Sequence, residues 1–282
     1  MSKLCVVGGK KLKGEVKVAG NKNSALKLMA AALLAGSPST FTNVPRIADV
    51  KIMGELIKKL GAKVDGLGTT TLTINPSTLS SYELDPELTG RIRASVVLAA
   101  PLLAKFGKAV ITPPGGDQIG ERLLTTHFSM MREFGVNIKR KGNKFLLEWK
   151  VKKAPDIFLE EASVTATEMA LMLSATLGKI VRVDDAACEP HVADLINYLS
   201  AAGVNIRGVG TNSLFVTGNK RIRGVKFKVS PDHVEVGTFA IASAITGGNV
   251  IINGAVREHT HMLLHYLESM GVKYKFVGQD KL

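Results

Sequence analysis

Long apolar segments that each end in a glycine recur along the chain at a spacing of about 70 residues. Their apolar positions cover nearly the whole circumference of a helix, which is typical of a helix buried on all sides. Glycine is the residue that most readily adopts the left-handed conformation found at helix C-termini. The pattern therefore predicts buried helices with glycine C-caps at residues 23–36, 93–107, 163–178 and 234–247.

A second set of glycine-terminated segments follows with the same period, at residues 49–61, 121–135, 191–203 and 259–271. A short β-prone run, such as residues 109–111, lies between the two segments of each pair. After the second segment, two further β-prone runs flank a turn. The chain is therefore predicted to repeat a helix, strand, helix and hairpin unit of about 70 residues four times, with the fourth hairpin starting at residues 272–276.

The predicted strands and the first helices differ in which of their faces are apolar. Residues 71–74 alternate between polar and apolar, so one face of the sheet meets water. The first helices are apolar nearly all round, so they belong in the interior. We predict an α/β fold with helices inside and sheets outside. Closed domains fit better than a solenoid, because solenoid repeats have periods of ~20–50 residues.

Composition indicates a globular protein of a reducing compartment. The 282 residues exceed one average domain, so two domains are expected, and 45% apolar residues suffice for a large core. Cys5 and Cys188 are the only cysteines, which argues against a disulfide framework and fits the cytoplasm. Because no apolar run reaches the ~18–20 residues that span a bilayer, and the start is too weakly apolar for a signal peptide, we expect a cytoplasmic protein without membrane association.

The net charge of +13 raises the question of nucleic-acid binding. The basic clusters lie in or beside predicted hairpins, and they lack the interleaved aromatic residues on which bases stack. Specific nucleic-acid binding is therefore disfavoured. Attraction of a small, multiply charged anionic substrate explains the positive field equally well.

Residues 113–122 combine two prolines and three glycines with an aspartate and an arginine. Proline stiffens a backbone, and glycine permits positive φ or close approach to a ligand. An apolar run precedes this stretch and a helical pattern follows it. Asp117 and Arg122 are thus expected on a strand-to-helix loop, where helix N-terminal amides favour anions. The alternative is an ordinary tight turn.

Lys22 and Asn23 open the first apolar segment, directly after Asn21. Asn21 can act as an N-cap, which would place the Lys22 ammonium beside a positive helix terminus. A solvated lysine and an ordinary polar residue of a first helical turn are the alternatives for Lys22 and Asn23.

Several short motifs identify a resemblance to a known family. In chain order they are Lys22-Asn23 before an Ala/Leu-rich helix, Arg93-Ala-Ser, the Pro-Gly-Gly-Asp-Gln-Ile-Gly-Glu-Arg loop ending at Arg122, Ser163-Val-Thr-Ala-Thr-Glu, Glu189-Pro190 and Pro231-Asp232. Together they resemble the enolpyruvyl transferases, and among these the UDP-N-acetylglucosamine 1-carboxyvinyltransferases that begin peptidoglycan synthesis. The resemblance spans essentially all 282 residues.

The resemblance implies an inside-out α/β barrel, the enolpyruvyl transferase fold, in which six units form two domains. Four of those six units are expected here: residues 21–230 would form a complete three-unit domain, and residues 1–20 with 231–282 an incomplete second one. We accordingly expect a truncated product or one half of a split enzyme. Such a chain would need a companion C-terminal chain for turnover, or would form a homo-oligomer.

The resemblance also implies roles for individual residues. Lys22 and Arg122 would bind phosphoenolpyruvate, with Lys22 also taking part in catalysis, and Arg93 would belong to the same cationic lining. Asn23 would orient the amino sugar. The family's nucleotide-binding turn matches Ser163, Val164 and Thr165.

This chain departs from the family pattern at two positions that would contact the nucleotide. Thr165 stands where many members have glycine, and Thr125 and Thr126 fall where a member often has an aspartate that contacts uracil. The resemblance places active-site carboxylates at Glu189 and Asp232. From the residues alone, Glu189 is equally an acid favoured at a helix start, and Asp232 an N-cap for a helix beginning near Val234.

Asp117 occupies the position at which most family members have cysteine. The family reaction adds the sugar 3-hydroxyl to C2 of phosphoenolpyruvate, delivers a proton to C3, and then eliminates phosphate. Asp117 would be the proton donor, which requires a raised pKa, whereas Lys22 and Arg122 nearby would lower it. The antibiotic fosfomycin alkylates the family's active-site thiol, and a carboxylate offers no sulfur.

The predicted function is therefore enolpyruvyl transfer from phosphoenolpyruvate to UDP-N-acetylglucosamine, which serves the cell wall and so cell shape and division. No metal or organic cofactor is expected, because the histidines lack compact metal-ligand spacing and no dinucleotide or phosphate-loop motif occurs. The alternatives are the related 3-phosphoshikimate 1-carboxyvinyltransferase, and a catalytically silent fragment that only binds a UDP-sugar.

Overall fold

A computed structural model describes residues 3–116 and 123–282, which divide into two compact units. One unit is Lys22–Ser230, and the other combines the chain up to Asn21 with Pro231–Leu282. The first unit contains three of the predicted repeats, and the second contains the fourth. That the first is a complete domain and the second an incomplete one remains a prediction.

The helices and strands follow the predicted order of the repeats. The α-helices are α1 (Lys22–Ala31), α2 (Ala48–Lys59), α3 (Pro86–Thr89), α4 (Ala99–Phe106), α5 (Thr125–Glu133), α6 (Val164–Ser174), α7 (Pro190–Ala201), α8 (His233–Ile245) and α9 (Arg257–Ser269). The strands are β1 (Lys13–Lys17), β2 (Ser39–Thr42), β3 (Lys63–Asp65), β4 (Thr71–Asn75), β5 (Lys108–Ile111), β6 (Asn137–Lys141), β7 (Lys144–Glu148), β8 (Asp156–Phe158), β9 (Ile180–Asp184), β10 (Asn205–Arg207), β11 (Ser213–Thr217), β12 (Lys226–Lys228) and β13 (Asn249–Asn253).

Three inner helical segments form the centre of the larger unit. They are α1, α6, and a 3-10 helix at Arg93–Leu98 that continues directly as α4. These segments pack against one another, and most of their side chains are buried whichever way they point. The change from 3-10 to α geometry comes just before Pro101, whose missing N–H is tolerated in a first helical turn. The prediction of helices inside and sheets outside is confirmed for this unit.

Three outer sheets surround these helices, and short parallel strands link each repeat to the next. In the first and third sheets the strand orders are β12-β2-β4-β3 and β8-β9-β11-β10, with β12 and β8 parallel to their neighbours. The second sheet is β5-β7-β6, and Glu83 bridges Val110 in parallel at its edge. Because β12 follows the third repeat and pairs with β2 of the first, the three repeats close into a ring.

The linking strands were not predicted from the sequence. β8 and β12 are three residues long, and their apolar content is too small to indicate a strand. They are extended because the adjacent sheet offers them backbone hydrogen bonds, which is a tertiary effect rather than a local propensity.

The glycine C-caps were predicted correctly at some helix ends and wrongly at others. Gly107 caps α4 with φ of 67°, as predicted, because an L-residue with a side chain would be strained there. The C-cap prediction is wrong for Gly36 and Gly178, because neither has the positive φ of a left-handed cap, and Gly178 lies four residues after α6 ends at Ser174. The helix predicted at 121–135 is also shorter at its start, since α5 begins at Thr125.

The fourth repeat differs from the other three in the exposure of its first helix. Of the residues of α8, only Val236 and Gly237 are buried. Ile241 is 45% exposed and Ile245 is 79% exposed, whereas aliphatic side chains such as Leu28 of α1 and Leu171 of α6 are fully buried. The prediction that every first helix is buried all round is therefore wrong for α8, because α9 and β13, which pack against it, leave that face exposed among the described residues.

The predicted fourth hairpin is correct only in part: residues 278–280 form a turn, and Val277 and Lys281 form an antiparallel bridge across it, but the first strand is wrong. Within the described residues 123–282, no regular strand covers 272–276. Val277 and Asn253 each form an isolated bridge with Lys281, and Leu282 exchanges two backbone hydrogen bonds with Ile252 of β13. The pairing with β13 is made by these last residues, while β1 runs parallel along its other edge. Among the described residues, no helix is both long and apolar enough to cross a membrane.

Because α1 is buried and α8 is largely exposed, shortening a side chain to alanine should lower the free energy of unfolding by different amounts in the two helices. Leu28→Ala, in α1, should lower the free energy of unfolding by about 3 kcal/mol, because it removes a fully buried side chain and leaves a cavity. Ile245→Ala, on the exposed side of α8, should change it by less than about 0.5 kcal/mol. Chemical denaturation measures both. An equal loss in the two variants would mean that the α8 face is covered in solution.

Candidate functional site

A cleft of about 820 Å³ lies in the larger unit, where the first turns of many of its helices meet. Its lining includes the starts of α1, α2, α5, α6 and α7 and of the 3-10 helix that precedes α4. Helix N-termini carry partial positive charge and unpaired N–H groups, so several of them around one cleft favour an anionic ligand. The main lining residues are Lys22, Asn23, Lys27, Asp49, Arg91, Arg93, Gly116, Thr125, Thr126, His127, Glu161, Ser163, Val164, Thr165 and His191.

The structure brings together many of the substrate-binding residues that were predicted from the sequence. Lys22, Asn23 and Arg93 line this cleft together with the turn Ser163, Val164 and Thr165. Glu189 and Asp232 are not part of its lining. Asp117 and Arg122 lie outside the described residues, although Gly116 and Leu123, on either side of that stretch, both line the cleft. The roles of all these residues remain predictions.

The cationic residues of the cleft differ in how they are held. Lys22, with 47% of its side chain exposed, has its Nζ 3.5 Å from Oδ2 of Asp49 at the start of α2. Arg93 is partly buried, and its Nη2 donates to the backbone oxygen of Leu123 at 3.3 Å. Arg93 therefore fixes the chain just after the loop, while Lys22 keeps access to solvent.

The backbone of the Gly-Gly loop is held too closely for side chains. A Cβ atom on Gly115 would lie 1.6 Å from the backbone oxygen of Gly90, and Gly116 has a φ of 99°. The Gly115 N–H donates to the Thr89 oxygen at 3.1 Å. The paired glycines thus let this loop lie directly against the segment that leads into Arg93, which explains the composition of the loop better than an ordinary turn does.

The start of α6 carries a polar pair that the sequence did not indicate. Ser163 is the N-cap and accepts a hydrogen bond from the Ala166 N–H at 3.4 Å. The Thr165 hydroxyl is 2.7 Å from Nε2 of His127, which is buried on α5. Burial, and to a lesser extent the Arg93 charge, lowers the pKa of His127 to about 4. The imidazole is therefore neutral near pH 7.

Asp232 and Glu189 each occupy a helix start. Asp232 caps α8, and its Oδ1 accepts from the backbone N–H groups of Val234 and Glu235. The expectation that Asp232 is an N-cap is confirmed. Glu189 precedes α7, with Pro190 in the first turn, as the pattern predicted, and its side chain makes no capping hydrogen bond within the described residues.

Buried polar residues beside the cleft hold α1 in place. Asp194 of α7 accepts hydrogen bonds from the Ser24 hydroxyl and from both the N–H and the hydroxyl of Ser230. Lys27 of α1 and Glu168 of α6 form an ion pair with Nζ and Oε2 3.5 Å apart. The sequence contained an indication of this pair, since Lys27 and Glu168 are charged residues within otherwise apolar helical segments.

Glu168 is fully buried, and its ionisation is strongly affected. Burial raises its pKa to about 8, against the opposing effect of Lys27. Burial outweighs the attraction of Lys27, because neither carboxyl oxygen meets the geometry of a hydrogen bond to a partner among the described residues. No group of three or more histidine, cysteine or acidic side chains that could hold a metal occurs in the described part of the chain.

Comparison with known sequences shows close relatives. The sequence model of EPSP synthase (3-phosphoshikimate 1-carboxyvinyltransferase) matches residues 6–281. The chain is 40% identical to the UDP-N-acetylglucosamine 1-carboxyvinyltransferase of Bradyrhizobium diazoefficiens, over 98% of this chain and 64% of that protein. It is 37% identical to the protein of the same name from Halothermothrix orenii, over all of this chain and 69% of that protein. The chain thus spans about two thirds of these relatives.

Comparison with solved structures shows the fold. The enolpyruvyl transferase NikO from Streptomyces tendae superimposes with a TM-score of 0.83 at 24% identity. The superposition covers 97% of this chain and 66% of that one. The predicted fold class is confirmed.

The buried Glu168 predicts an unusual dependence of stability on pH. Because its folded-state pKa of about 8 lies above the usual 4.5, its contribution to stability is complete below about pH 4.5 and is lost as pH rises through about 8. Glu168→Gln should remove this loss, so that near pH 9 the variant has the higher free energy of unfolding, by roughly 2 kcal/mol or more.

Urea denaturation of both proteins across that pH range measures the effect, with Glu55→Gln on the exposed side of α2 as the control. Parallel pH profiles for the Glu168→Gln variant and the unmodified chain would show that Glu168 is ionised throughout.

Proposed function

The chain belongs to the enolpyruvyl transferase family, and on that basis we propose that it acts in the reaction of the UDP-N-acetylglucosamine 1-carboxyvinyltransferases. The enolpyruvyl group of phosphoenolpyruvate would pass to the 3-hydroxyl of UDP-N-acetylglucosamine, in the cytoplasm, at the first committed step of peptidoglycan synthesis. The observation that carries the proposal is the cleft in Lys22–Ser230, which combines lysine and arginine side chains with several helix N-termini.

Both substrates carry phosphate, and the cleft supplies what phosphate requires. Lys22 and Arg93 can donate charge-assisted hydrogen bonds to phosphate or carboxylate oxygens. The first turn of α6 offers the backbone N–H groups of Val164 and Thr165 to a diphosphate, whereas the N–H of the N-cap Ser163 donates to Glu161. Asn23 follows Lys22 on the cleft side of α1 and is suited to an amide or hydroxyl of the sugar. The substrate contacts of Arg122, Glu189 and Asp232 remain predictions.

The proposed chemistry is an addition followed by an elimination. The sugar hydroxyl releases its proton to solvent as its oxygen bonds to C2 of phosphoenolpyruvate, and C3 gains a proton from an acid of the site. The C2–O bond to phosphate then breaks as a proton returns from C3 to that group, which leaves the enolpyruvyl ether and inorganic phosphate. Cations beside the phosphate stabilise the charge that it carries away. We assign the proton delivery to Asp117, which requires that bound anionic substrate offset the effect of the neighbouring cations on its pKa.

The family model that matches the chain is named for 3-phosphoshikimate 1-carboxyvinyltransferase. Shikimate 3-phosphate is therefore the alternative to UDP-N-acetylglucosamine as the acceptor of the enolpyruvyl group. Calorimetric titration of the chain with UDP-N-acetylglucosamine and, separately, with shikimate 3-phosphate separates the two. The proposal expects binding of the sugar nucleotide and none of the shikimate, with Arg93→Ala weakening the former about tenfold or more. Preferential binding of shikimate 3-phosphate would overturn it.

Turnover is tested by phosphate release from phosphoenolpyruvate in the presence of UDP-N-acetylglucosamine. The chain is assayed alone and together with the part of the Bradyrhizobium diazoefficiens relative that lies outside the match. Binding of the sugar nucleotide without phosphate release in either case would favour a protein that binds the UDP-sugar and does not catalyse the transfer.

Substitution of Asp117 tests its assignment as the proton donor. In the chain supplemented with the relative's C-terminal part, Asp117→Asn should reduce phosphate release by about a hundredfold or more, since an amide cannot act as a general acid. Asp117→Cys should retain turnover and should gain a covalent fosfomycin adduct, because a thiolate is the nucleophile that the epoxide needs.

The adduct is located by peptide mass spectrometry, with the exposed Cys5 and Cys188 as internal controls for unspecific alkylation. An Asn variant that turns over like the unmodified chain would remove Asp117 from the mechanism.

A further inference from the structure

Lys27 and Glu168 place two ionisable side chains inside α1 and α6, two of the inner helices that border the cleft. Lys27 lies one turn after Asn23 on α1, and Glu168 lies one turn after Val164 on α6. The two side chains are 5% and 0% exposed, with their Nζ and Oε2 atoms 3.5 Å apart. Lys27 also lines the cleft, whereas Glu168 does not. The pair therefore forms the floor of the cleft, with the ammonium on the cleft side.

The surroundings of Glu168 favour its neutral form. An ionised carboxylate without water needs hydrogen-bond donors, and neither oxygen of Glu168 has one among the described residues. A single cation at 3.5 Å does not by itself offset the loss of hydration of two buried charges. When Glu168 holds its proton, the charge of Lys27 is left without a neutralising partner in the pair, and an anion in the cleft can supply one.

We propose that Lys27 is a further anion-binding residue of the cleft, and that Glu168 is the positioning residue that holds Lys27 and controls the charge of the pair by gaining or losing a proton. With Glu168 protonated, the pair presents one positive charge to a phosphate group. With Glu168 ionised, the pair is neutral and attracts an anion less. Above about pH 8, where Glu168 is ionised, binding of the anion is thereby coupled to uptake of a proton by its carboxylate.

Six other charged or titratable groups lie on or beside the elements that surround α6. They are Lys27, Arg93, His127, Glu189, His191 and Asp194. Burial raises the pKa of Glu168 to about 8, and the charge of Glu189 adds to that effect. Substitution of Glu168 itself separates its titration from theirs.

The test measures affinity for two anions at about pH 7 and at about pH 9.5, on either side of the Glu168 titration. UDP-N-acetylglucosamine is one probe, and its use rests on the proposed function. Sulfate is the other, since its charge is constant over this range, and its binding is measured as the thermal stabilisation of the chain. The variants are Lys27→Met and Glu168→Gln. The matched control is Lys59→Met, which breaks the exposed Lys59–Asp85 pair at the far end of α2.

The unmodified chain and the Lys59→Met control should bind each anion roughly tenfold more weakly at the higher pH. Glu168→Gln should bind as the unmodified chain does near pH 7 and should show no loss at the higher pH. Lys27→Met should bind roughly tenfold more weakly near pH 7 because the cation is lost. It should also depend little on pH, because without Lys27 the pKa of Glu168 rises further and the carboxyl stays protonated. If Lys27→Met does not fold, the pH profile of Glu168→Gln decides alone.

The inference would be overturned if the affinity of Glu168→Gln for the anions fell with rising pH as much as that of the unmodified chain. It would also be overturned if a folded Lys27→Met variant bound the anions with full affinity. If the sugar nucleotide fails to bind but sulfate follows the expected pattern, the proposed function fails and the inference stands. If the sugar nucleotide binds and neither anion follows the pattern, or if neither anion binds at all, the inference fails.

Discussion

The larger unit depends on one constraint, which is that its inner helices are apolar on nearly every side. Helices of this kind are stable only when surrounded by other elements. α1, α6 and the helical segment from Arg93 to Phe106 therefore pack together, and the sheets enclose them from outside. A helix buried along its length meets water only at its ends. The first turns of these helices carry the polar residues that line the cleft, and the charges farther along them, Lys27 and Glu168, pair with each other.

Closure of the repeats makes this arrangement rigid enough to hold a site. β12 returns from the third repeat to pair with β2 of the first, so no sheet of the larger unit lacks a linking strand or bridge. Asp194 adds a buried polar contact that joins α7 to Ser24 of α1 and to Ser230. The fourth repeat shows what happens without such neighbours, because α8 has the same apolar character and leaves Ile241 and Ile245 exposed.

Much of this could be predicted from the sequence, because it depends on local pattern. The period of the glycines and the all-round apolar helices predicted the repeats and the inside-out arrangement. The linking strands β8 and β12 could not be predicted, since they become strands only against a neighbouring sheet. The site was predicted in part: Lys22, Asn23, Arg93 and Ser163–Thr165 meet in one cleft. His127 and the Lys27–Glu168 pair were missed, because their importance lies in burial beside partners from distant parts of the chain.

The central claim is that the cleft in Lys22–Ser230 receives the sugar nucleotide. Amide hydrogen exchange with and without saturating UDP-N-acetylglucosamine tests it most directly. The account predicts that the strongest protection falls on the first turns of α1 and α6 and on the segment around Arg93, with little change in α8 and α9. Protection confined to α8 and α9, or binding that leaves the cleft residues unprotected, would contradict it.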